Sequence, residues 1–224
     1  MKIAIITGAS SGIGEALSYK LSQNGYHVVL ASRSIHKLKE IDNKIKKEGN
    51  KSSIIETDIS CLDSIQNLKS KVNELGEVDV LINNAGIGRF SKFSDCSVED
   101  LDDQININLR GAFLVSQAFV PQMQKNKKGI ILFVNSVAGK HGYPFSAAYV
   151  ASKYGLRGLA ESIRNELREY NIKVISIHPG AVNSPFWDKV KSDFPRNEML
   201  NPKDLADLVL YAIKMPGFAT IEDL

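Results

Sequence analysis

The sequence predicts an α/β fold in which a doubly wound parallel sheet of the Rossmann type carries helices on both faces. Short apolar segments rich in β-branched residues alternate along the chain with longer stretches of helical periodicity, which is the order of elements in such sheets. Several of the apolar segments are continuous, as expected of strands that are buried on both faces. A glycine-rich turn directly follows the first of them, at residues 7–14, where such folds change from strand to helix.

Six strands and six helices are predicted in alternation. The predicted strands cover residues 3–7, 27–32, 52–58, 78–86, 129–136 and 172–180. The predicted helices lie near residues 13–24, 35–48, 62–75, 98–126 and 147–169, and another begins at Pro202, which suits a first helical turn. No linker, low-complexity segment or repeat interrupts this order, so a single domain is expected over residues 1–224.

Composition narrows the class of protein. The chain has 224 residues, of which 43% are hydrophobic and 24% charged, an ordinary globular profile. No apolar run approaches the roughly 18 residues of a membrane span, and a β-type segment at residue 2 leaves no room for a leader peptide. A cytoplasmic protein without a membrane partner is therefore expected.

Charge and cysteine content argue against two other classes of site. The net charge is only +3, and the lysine-rich stretch at 44–51 is interpreted as a solvated helix end, so no nucleic-acid partner is expected. Cys61 and Cys96 lack the spacing of metal ligands. They are interpreted as free thiols of a reducing compartment, and no metal site is predicted.

Two long helices predict a homo-oligomer, either a dimer or a tetramer. The stretches 98–126 and 147–169 carry apolar residues on more than one helix face. One face of the sheet cannot bury all of them, so a second subunit is expected to cover the rest. These residues are Ile105, Ile107, Phe113, Leu114 and Phe119 in the first stretch and Val150, Leu156, Leu159, Ile163 and Leu167 in the second. The alternative is that the two helices pack only against each other.

The glycine-rich turn TGASSGIG predicts a phosphate-binding site. Gly8 allows the tight turn, Gly12 lets the backbone approach a pyrophosphate, and Gly14 permits close packing of helix on strand. The following helix offers free N–H groups and its positive dipole end to phosphate. Ser11 and Ile13 lie in the same turn and are expected to contact the cofactor. A plain strand–helix turn is the alternative.

The end of the second strand favours NADP(H) over NAD(H). NAD sites usually place an acidic residue there, whereas this chain reads ASRS at 31–34. A guanidinium such as Arg33 pairs with a 2′-phosphate that a carboxylate would repel. Ser10, Ser32 and Ser34 are candidate hydroxyl donors. The alternative is an Arg33 that only faces solvent.

The ends of the third and fourth strands complete the predicted cofactor site. Asp58, followed by Ile59, could accept a hydrogen bond from an adenine amino group or could cap the helix that starts near Leu62. The sequence NNAG at 83–86 ends the fourth strand, at the edge where ligands bind. Asn83 is expected to tie neighbouring strands together, and Asn84, Ala85 and Gly86 are expected to line the nucleotide site.

Tyr149 and Lys153 form the candidate catalytic pair. Their spacing of four residues places them on one helix face, whereas Tyr154 points about 100° away. An ammonium beside a phenol lowers the pKa of the phenol. Ser136 ends the fifth strand, and its hydroxyl could meet the tyrosine there.

Taken together, these motifs resemble the classical short-chain dehydrogenase/reductase family. The resemblance rests on six motifs: TGASSGIG, NNAG, Asn108 with Gly111, NSVAG with Ser136, YVASK and HPG. They occur in this order over essentially the whole chain. The resemblance implies that Tyr149 is the general acid-base, that Lys153 lowers its pKa and holds the nicotinamide ribose, and that Ser136 binds the substrate oxygen. It also implies that Asn108, at a helix bend, holds a proton-relaying water. Pro179 and Gly180 would lie beside the nicotinamide, with Val182 and Ser184 following; Ser184 stands where the family usually has threonine.

The segment at 183–200 is where the resemblance places the substrate-binding loop. Phe186, Trp187 and Phe194 could form an apolar lid, and Lys189, Lys191 and Arg196 could meet an acidic substrate or only solvent. His141 and Tyr143 are candidate pocket residues, and His178 is interpreted as a core histidine. Family chains continue past residues 219–224 with a final strand that assembles tetramers, so tetramer formation is in doubt here.

The leading hypothesis is a reductase of low-molecular-weight ketones or aldehydes. Two alternatives are a 3-oxoacyl-acyl-carrier-protein reductase, which would need a basic docking surface, and a regulatory protein that senses NADP without turnover.

Overall fold

The computed structural model confirms the predicted α/β fold and describes residues 1–190, 195–216 and 221–224. Six parallel strands form one sheet in the order β3-β2-β1-β4-β5-β6, which is the doubly wound arrangement. The strands are β1 (Lys2–Thr7), β2 (Tyr26–Ser32), β3 (Ser52–Glu56), β4 (Val78–Asn83), β5 (Gly129–Val134) and β6 (Ile172–Ile177). The order reverses between β1 and β4, so a crevice opens at their carboxyl ends.

Seven α-helices cover the two faces of the sheet in the described part of the chain. They are α1 (Gly12–Ser22), α2 (Ile35–Lys47), α3 (Leu62–Leu75), α4 (Val98–Ile105), α5 (Ala112–Asn126), α6 (Ala147–Leu167) and α7 (Pro202–Lys214). One core lies between the sheet and α1, α2 and α7, and the other lies between the sheet and α3, α5 and α6. The strands are buried on both faces, which explains their continuous apolar sequences.

Four strands end earlier than predicted. The third, fourth, fifth and sixth strands end at residues 56, 83, 134 and 177, two to three residues before the predicted ends at 58, 86, 136 and 180. The residues beyond these ends are the polar and small residues of the predicted site. Several of them, including Asp58, Gly86, Ser136 and Gly180, line the crevice at this edge of the sheet.

The long helix predicted over 98–126 is three segments. Between α4 and α5, residues Asn106–Gly111 form a π-helical segment, and such segments occur frequently at functional sites. Asn108 lies in this segment. Gly155 of α6 packs against it so closely that an added Cβ would lie 2.7 Å from Leu109 Cδ2. The absence of a side chain at Gly155 therefore lets α6 approach the π-helical segment.

The last four residues lie beside the edge of the sheet. The N–H of Ser176 donates to the carbonyl of Glu222 at 2.9 Å, and the N–H of Leu224 donates to the carbonyl of Ser176 at 3.0 Å. A short parallel pairing thus covers β6. Within the described ranges, no helix is both long and apolar enough to cross a membrane.

Candidate active site

One cleft of about 730 Å³ contains most of the predicted site residues. It lies at the carboxyl ends of the strands, where β1 and β4 meet and the sheet order reverses. Its volume falls in the range of about 300–1,000 Å³ that is typical of ligand pockets. The predicted cofactor residues that line it are Gly8, Ser10, Ser11, Gly12, Ile13, Ser32, Arg33, Ser34, Asp58, Ile59, Asn84, Ala85, Gly86, Pro179, Gly180, Val182 and Ser184.

The glycine-rich turn has a shape that only glycine allows at two positions. Gly8 and Gly12 have φ angles of 66° and 57°, in the left-handed region that favours glycine. A Cβ at Gly8 would lie 2.8 Å from Ala85 Cα, and one at Gly12 would lie 2.8 Å from Ser184 Cβ. A Cβ at Gly14 would collide with the Gly8 carbonyl. Helix α1 then begins with no side-chain cap from Ser11, so this turn fits a phosphate group.

The turn is held by Asn84 rather than by Asn83. The Asn84 amide donates to the carbonyls of Thr7 at 2.9 Å and Gly8 at 3.1 Å, and the Thr7 hydroxyl accepts from the Asn84 N–H at 3.0 Å. Asn83 instead donates to Ser116 of α5 at 2.9 Å. The prediction that Asn83 ties neighbouring strands is therefore wrong, because its side chain points away from the strands and toward α5.

The end of the cleft at β2 holds the residues predicted to meet a 2′-phosphate. Ser32 donates to Ser10 at 2.9 Å and accepts from the Ser34 N–H at 3.2 Å. Arg33 is exposed at the surface of the cleft, and its positive charge contributes to lowering the pKa of Asp58. The arrangement places one exposed guanidinium among hydroxyl groups, which suits a phosphate monoester.

Asp58 does not cap the following helix. Its Oδ1 accepts from the Ser60 hydroxyl at 2.6 Å and from the Ser60 N–H at 2.9 Å, and these bonds are the main cause that lowers its pKa. Helix α3 begins after Cys61, which makes no side-chain cap. The capping alternative is thus wrong, while the side chain of Asp58 does line the cleft.

Ser136, Tyr149 and Lys153 converge at the other end of the cleft. Ser136 follows β5, and its hydroxyl accepts from the Ala138 N–H at 3.1 Å while also hydrogen bonding to the Tyr149 phenol. Lys153 donates to the Val134 carbonyl at 3.0 Å. Its Nζ lies 5.7 Å from the centroid of the Tyr149 ring. A hydroxyl, a phenol and an ammonium therefore face one small volume.

Burial controls the ionisation of Tyr149 and Lys153. It raises the pKa of Tyr149 to about 12, against a smaller lowering by the Ser136 hydrogen bond. It lowers the pKa of Lys153 to about 8. The expectation that Lys153 lowers the pKa of Tyr149 is not met, because removal of the phenol from water outweighs the lowering influence, which comes from Ser136. The phenol is therefore protonated at neutral pH, as a proton donor must be.

Asn108 fixes the loop after β4. Its Oδ1 accepts from the Ile87 N–H at 2.8 Å, and its Nδ2 donates to the Ile87 carbonyl and to Ser152, each at 2.9 Å. A Cβ added at Gly86 would lie 3.1 Å from Asn108 Oδ1 and 3.7 Å from Lys153 Nζ. The absence of a side chain at Gly86 thus leaves open the space next to the Asn108 amide and the Lys153 ammonium.

Aromatic rings surround the phenol of Tyr149. Tyr143, Phe186 and Trp187 line the cleft as predicted, and so does Phe90, which sequence reasoning missed. The Phe90 and Tyr149 ring centroids lie 5.4 Å apart. No pattern around Phe90 marks it, because its contacts come from segments that are distant along the chain.

Three other expectations about this end of the cleft fail or lie outside the described residues. His141 is exposed and does not line the cleft, because the turn after Val137 directs it to solvent. Arg196 donates to Asp188 at 2.6 Å and to the Ser184 carbonyl at 2.8 Å, so it is committed within the loop. Lys191 and Phe194 are outside the described residues, as is the side chain of Lys189.

The remaining tyrosine and histidine candidates have structural contacts. Tyr154 is 44% exposed and donates to the Lys140 carbonyl at 2.7 Å, away from the cleft. His178 is buried, and its Nδ1 lies 3.1 Å from the Ser136 carbonyl. Its Nε2 makes no hydrogen bond within the described ranges, although Asp223 lies 3.6 Å away. Burial lowers the pKa of His178, which favours the neutral form.

Comparisons with known proteins agree with the geometry. The model of the short chain dehydrogenase family matches residues 2–194. Sepiapterin reductase from Chlorobaculum tepidum is 35% identical over 99% of this chain and 94% of its own length. An alcohol dehydrogenase from the archaeon Thermococcus sibiricus, solved with 5-hydroxy-NADP, superposes with a TM-score of 0.93 at 31% identity over 100% of this chain and 95% of its own. A metagenomic short-chain oxidoreductase solved with NADP has a TM-score of 0.88 at 33% identity, with 100% and 95% covered.

Proposed function

The chain belongs to the short-chain dehydrogenase family, and from that premise we propose that it is an NADP(H)-dependent oxidoreductase that interconverts a carbonyl and an alcohol. The observation that carries the proposal is the convergence of Ser136, Tyr149 and Lys153 in the cleft that holds the glycine-rich turn. A bound nicotinamide cofactor would supply the hydride. The residues of the chain would bind and orient the cofactor and the substrate, and they would move the proton.

In the reducing direction, Tyr149 acts as the general acid. Its phenol donates its proton to the carbonyl oxygen of the substrate, and its high pKa keeps that proton available at neutral pH. Ser136 donates a hydrogen bond to the same oxygen and stabilises the developing negative charge. In the oxidising direction the phenolate accepts the proton from the alcohol.

Lys153 and Asn108 support this proton transfer. The Lys153 ammonium stabilises the phenolate that Tyr149 becomes when it loses its proton, and the hydrogen bond to the Val134 carbonyl holds the ammonium in place. Lys153 also lines the cleft, where its ammonium would hold the nicotinamide ribose of the cofactor. Asn108 holds the backbone of Ile87 on both its N–H and its carbonyl side, so the loop beside Lys153 keeps its shape.

The preference for NADP(H) over NAD(H) is assigned to Arg33. Its guanidinium is exposed beside Ser32 and Ser34, where a 2′-phosphate would extend from the ribose. Both solved relatives described above are complexes with NADP or a derivative of it, which supports the same preference in this chain.

Binding of both cofactors to Arg33→Ala tests the assignment. A charge-assisted hydrogen bond contributes about 1.5 kcal/mol at the low end appropriate to an exposed group, so affinity for NADPH should fall roughly tenfold. Affinity for NADH should change less than about twofold, since NADH lacks the phosphate. Arg168→Ala removes the same charge far from the cleft and serves as the control. Equal losses for NADPH and NADH would contradict the 2′-phosphate assignment.

The loop at 183–200 is proposed as the substrate-binding loop, and α4, α5 and α6 as the homo-oligomer contact. Within the loop, Phe186 and Trp187 line the cleft beside Tyr149. On the helices, Val98, Leu101, Phe113 and Tyr154 are 39–68% exposed, a set of apolar surfaces that a second copy could cover. Phe119, Leu156 and Leu167 instead belong to the core of this chain.

An NADPH-oxidation screen over diketones, aldehydes, quinones, pterins and 3-oxoacyl thioesters tests the activity. Tyr149→Phe should lower the rate by about 10²–10⁴, the usual contribution of general acid catalysis, with NADPH binding retained. Full activity in that variant would overturn the mechanism. Tight NADPH binding with no turnover of any carbonyl would favour the NADP-sensing alternative. The acyl-carrier alternative lacks support from Arg196, which is paired with Asp188.

A further inference from the structure

Four rings form a compact aromatic cluster around the proposed proton donor. Phe90 and Trp187 are parallel within 1°, with centroids 6.4 Å apart. The Phe186 ring stands edge-on to both, at 6.2 Å from Phe90 and 5.5 Å from Trp187. Tyr149 lies 5.4 Å from Phe90 and 5.9 Å from Phe186. Such distances are those of interacting aromatic pairs, so the hydroxyl of Tyr149 emerges from a wall of ring faces and edges.

The loop that carries Phe90 is fixed in place. Arg89 donates to Asp100 and to Asp103, each at 2.6 Å, and its N–H donates to the buried Gln104 at 3.0 Å. Both carboxylates and Gln104 belong to α4. Three hydrogen bonds from Arg89 therefore anchor the backbone next to Phe90 to α4, and this anchoring holds the Phe90 ring at the wall of the cleft.

Gly88 allows Phe186 to join the cluster. A Cβ added at Gly88 would collide with the Phe186 ring and would lie 2.9 Å from two carbon atoms of the Phe90 ring. Phe186 therefore packs directly on the backbone of the loop after β4. The two segments, which are almost 100 residues apart in the chain, close one side of the substrate end of the cleft together.

Beside the rings of Phe90, Phe186 and Trp187, the described residues that line the cleft present no charged side chain to a substrate. Among the described residues, the charged side chains that line the cleft are Arg33, Asp58 and Lys153. Arg33 and Asp58 lie at the β2 end, and Lys153 is buried with its ammonium bonded to Val134. A substrate carboxylate or phosphate would thus lose water beside the rings without gaining a partner, which is unfavourable.

We propose that the site takes an uncharged carbonyl attached directly to a flat aromatic or heteroaromatic ring. The aromatic ring of the substrate lies against the parallel rings of Phe90 and Trp187 and is bounded by Phe186. The substrate's carbonyl oxygen reaches the hydroxyls of Tyr149 and Ser136. A flat ring matches parallel faces, whereas a puckered ring of the same carbon count does not. This substrate class rests on the proposed carbonyl–alcohol activity and names the compounds on which it acts.

A matched pair of diones tests the proposal in steady-state kinetics. 1-Phenyl-1,2-propanedione and 1-cyclohexyl-1,2-propanedione carry the same reactive group on a flat and on a puckered ring. The ratio of their kcat/KM values should fall about two- to tenfold in Phe90→Leu, the range expected for one aromatic pair. Comparing the ratio between variants cancels the intrinsic reactivity of the two compounds. Phe93→Leu, at a ring that is 83% exposed and outside the cleft, should leave the ratio unchanged.

The single tryptophan of the chain gives an independent binding measurement. Trp187 is the only tryptophan, so intrinsic fluorescence reports directly on this cluster. With NADP⁺ present, which prevents reduction, the phenyl dione should quench the emission saturably and with higher affinity than the cyclohexyl dione. Phe90→Leu should weaken the phenyl dione by the same factor as in the kinetics.

The two measurements separate this inference from the proposed function. Equal binding and turnover of both diones, with a ratio unaffected by Phe90→Leu, would overturn the aromatic-ring inference and leave the reductase activity standing. Selective quenching by the phenyl dione without reduction of either dione would support the aromatic site and count against the reductase. An unfolded Phe90→Leu variant would show in its circular dichroism, and Phe90→Tyr, which keeps the ring, should then retain the wild-type ratio.

Discussion

Replacing Lys153 by methionine should stabilise the unliganded fold while it removes the ammonium from the site. The side chain is buried, and burial lowers its pKa from 10.5 to about 8. At pH 7 the folded protein therefore contains a buried ammonium that is solvated less favourably than the same group is in water. That difference corresponds to about 3 kcal/mol of destabilisation. Methionine keeps most of the apolar stem and carries no charge.

One hydrogen bond offsets part of this gain. The ammonium donates to the Val134 carbonyl at 3.0 Å, and leaving that carbonyl without a partner costs about 1 kcal/mol. The net stabilisation expected at pH 7 is about 2 kcal/mol, or roughly 4–8 °C in melting temperature for a domain of this size. Activity should be lost in the same variant, so stability and function change in opposite directions.

The pH dependence distinguishes charge from packing. Below pH 8 the folded lysine is charged and the destabilisation is present in full. Between pH 8 and about 10.5 the folded lysine loses its proton while the unfolded one keeps it, so wild-type stability rises relative to the variant. Above about 10.5 the lysine is neutral in both states, and the variant should be the less stable protein because Val134 lacks its partner.

Urea unfolding followed by circular dichroism at pH 7, 9 and 10.5, without cofactor, measures this change. Lys37→Met removes an exposed lysine and controls for the loss of one positive charge. A Lys153→Met variant that is less stable than wild type at pH 7 would refute the reasoning. A gain that stays the same from pH 7 to 10.5 would refute it as well, since packing alone would then explain the stabilisation.

Two other predictions concern the phenol and the aromatic cluster. Because burial raises the pKa of Tyr149 to about 12, the phenolate needed for alcohol oxidation is scarce at neutral pH, so kcat for oxidation should rise with pH between 7 and 10 whereas kcat for reduction should not. A flat oxidation profile would show that another group accepts the proton. Gly88→Ala should displace Phe186 and Phe90 and raise KM for an aryl dione about twofold to tenfold, the range expected for the loss of one aromatic pair. Gly142→Ala, in a loop where no atom of the described residues lies within 4 Å of an added Cβ, should leave KM unchanged; similar effects of the two substitutions would indicate a general loss of loop order.

The sequence alone determined the features that depend on neighbours along the chain. The strand–helix alternation predicts the sheet because each element records its own burial in its hydrophobic pattern. The four-residue spacing of Tyr149 and Lys153 places both on one helix face, and the glycine-rich turn carries its own backbone requirement at Gly8 and Gly12. Such local signals were sufficient for the fold and for most of the residues that line the cleft between the glycine-rich turn and β2.

Only the tertiary structure decided how distant segments meet. Asn84, and not Asn83, holds the turn, because the direction of each side chain depends on where β4 ends. Phe90 and Gly88 join Phe186 through a contact that spans almost 100 residues, and no local pattern encodes such a contact. His141 leaves the cleft although its neighbour Tyr143 lines it. The pKa of Tyr149 is raised rather than lowered, because ionisation depends on the summed burial of surrounding elements, a quantity that exists only once the chain has folded.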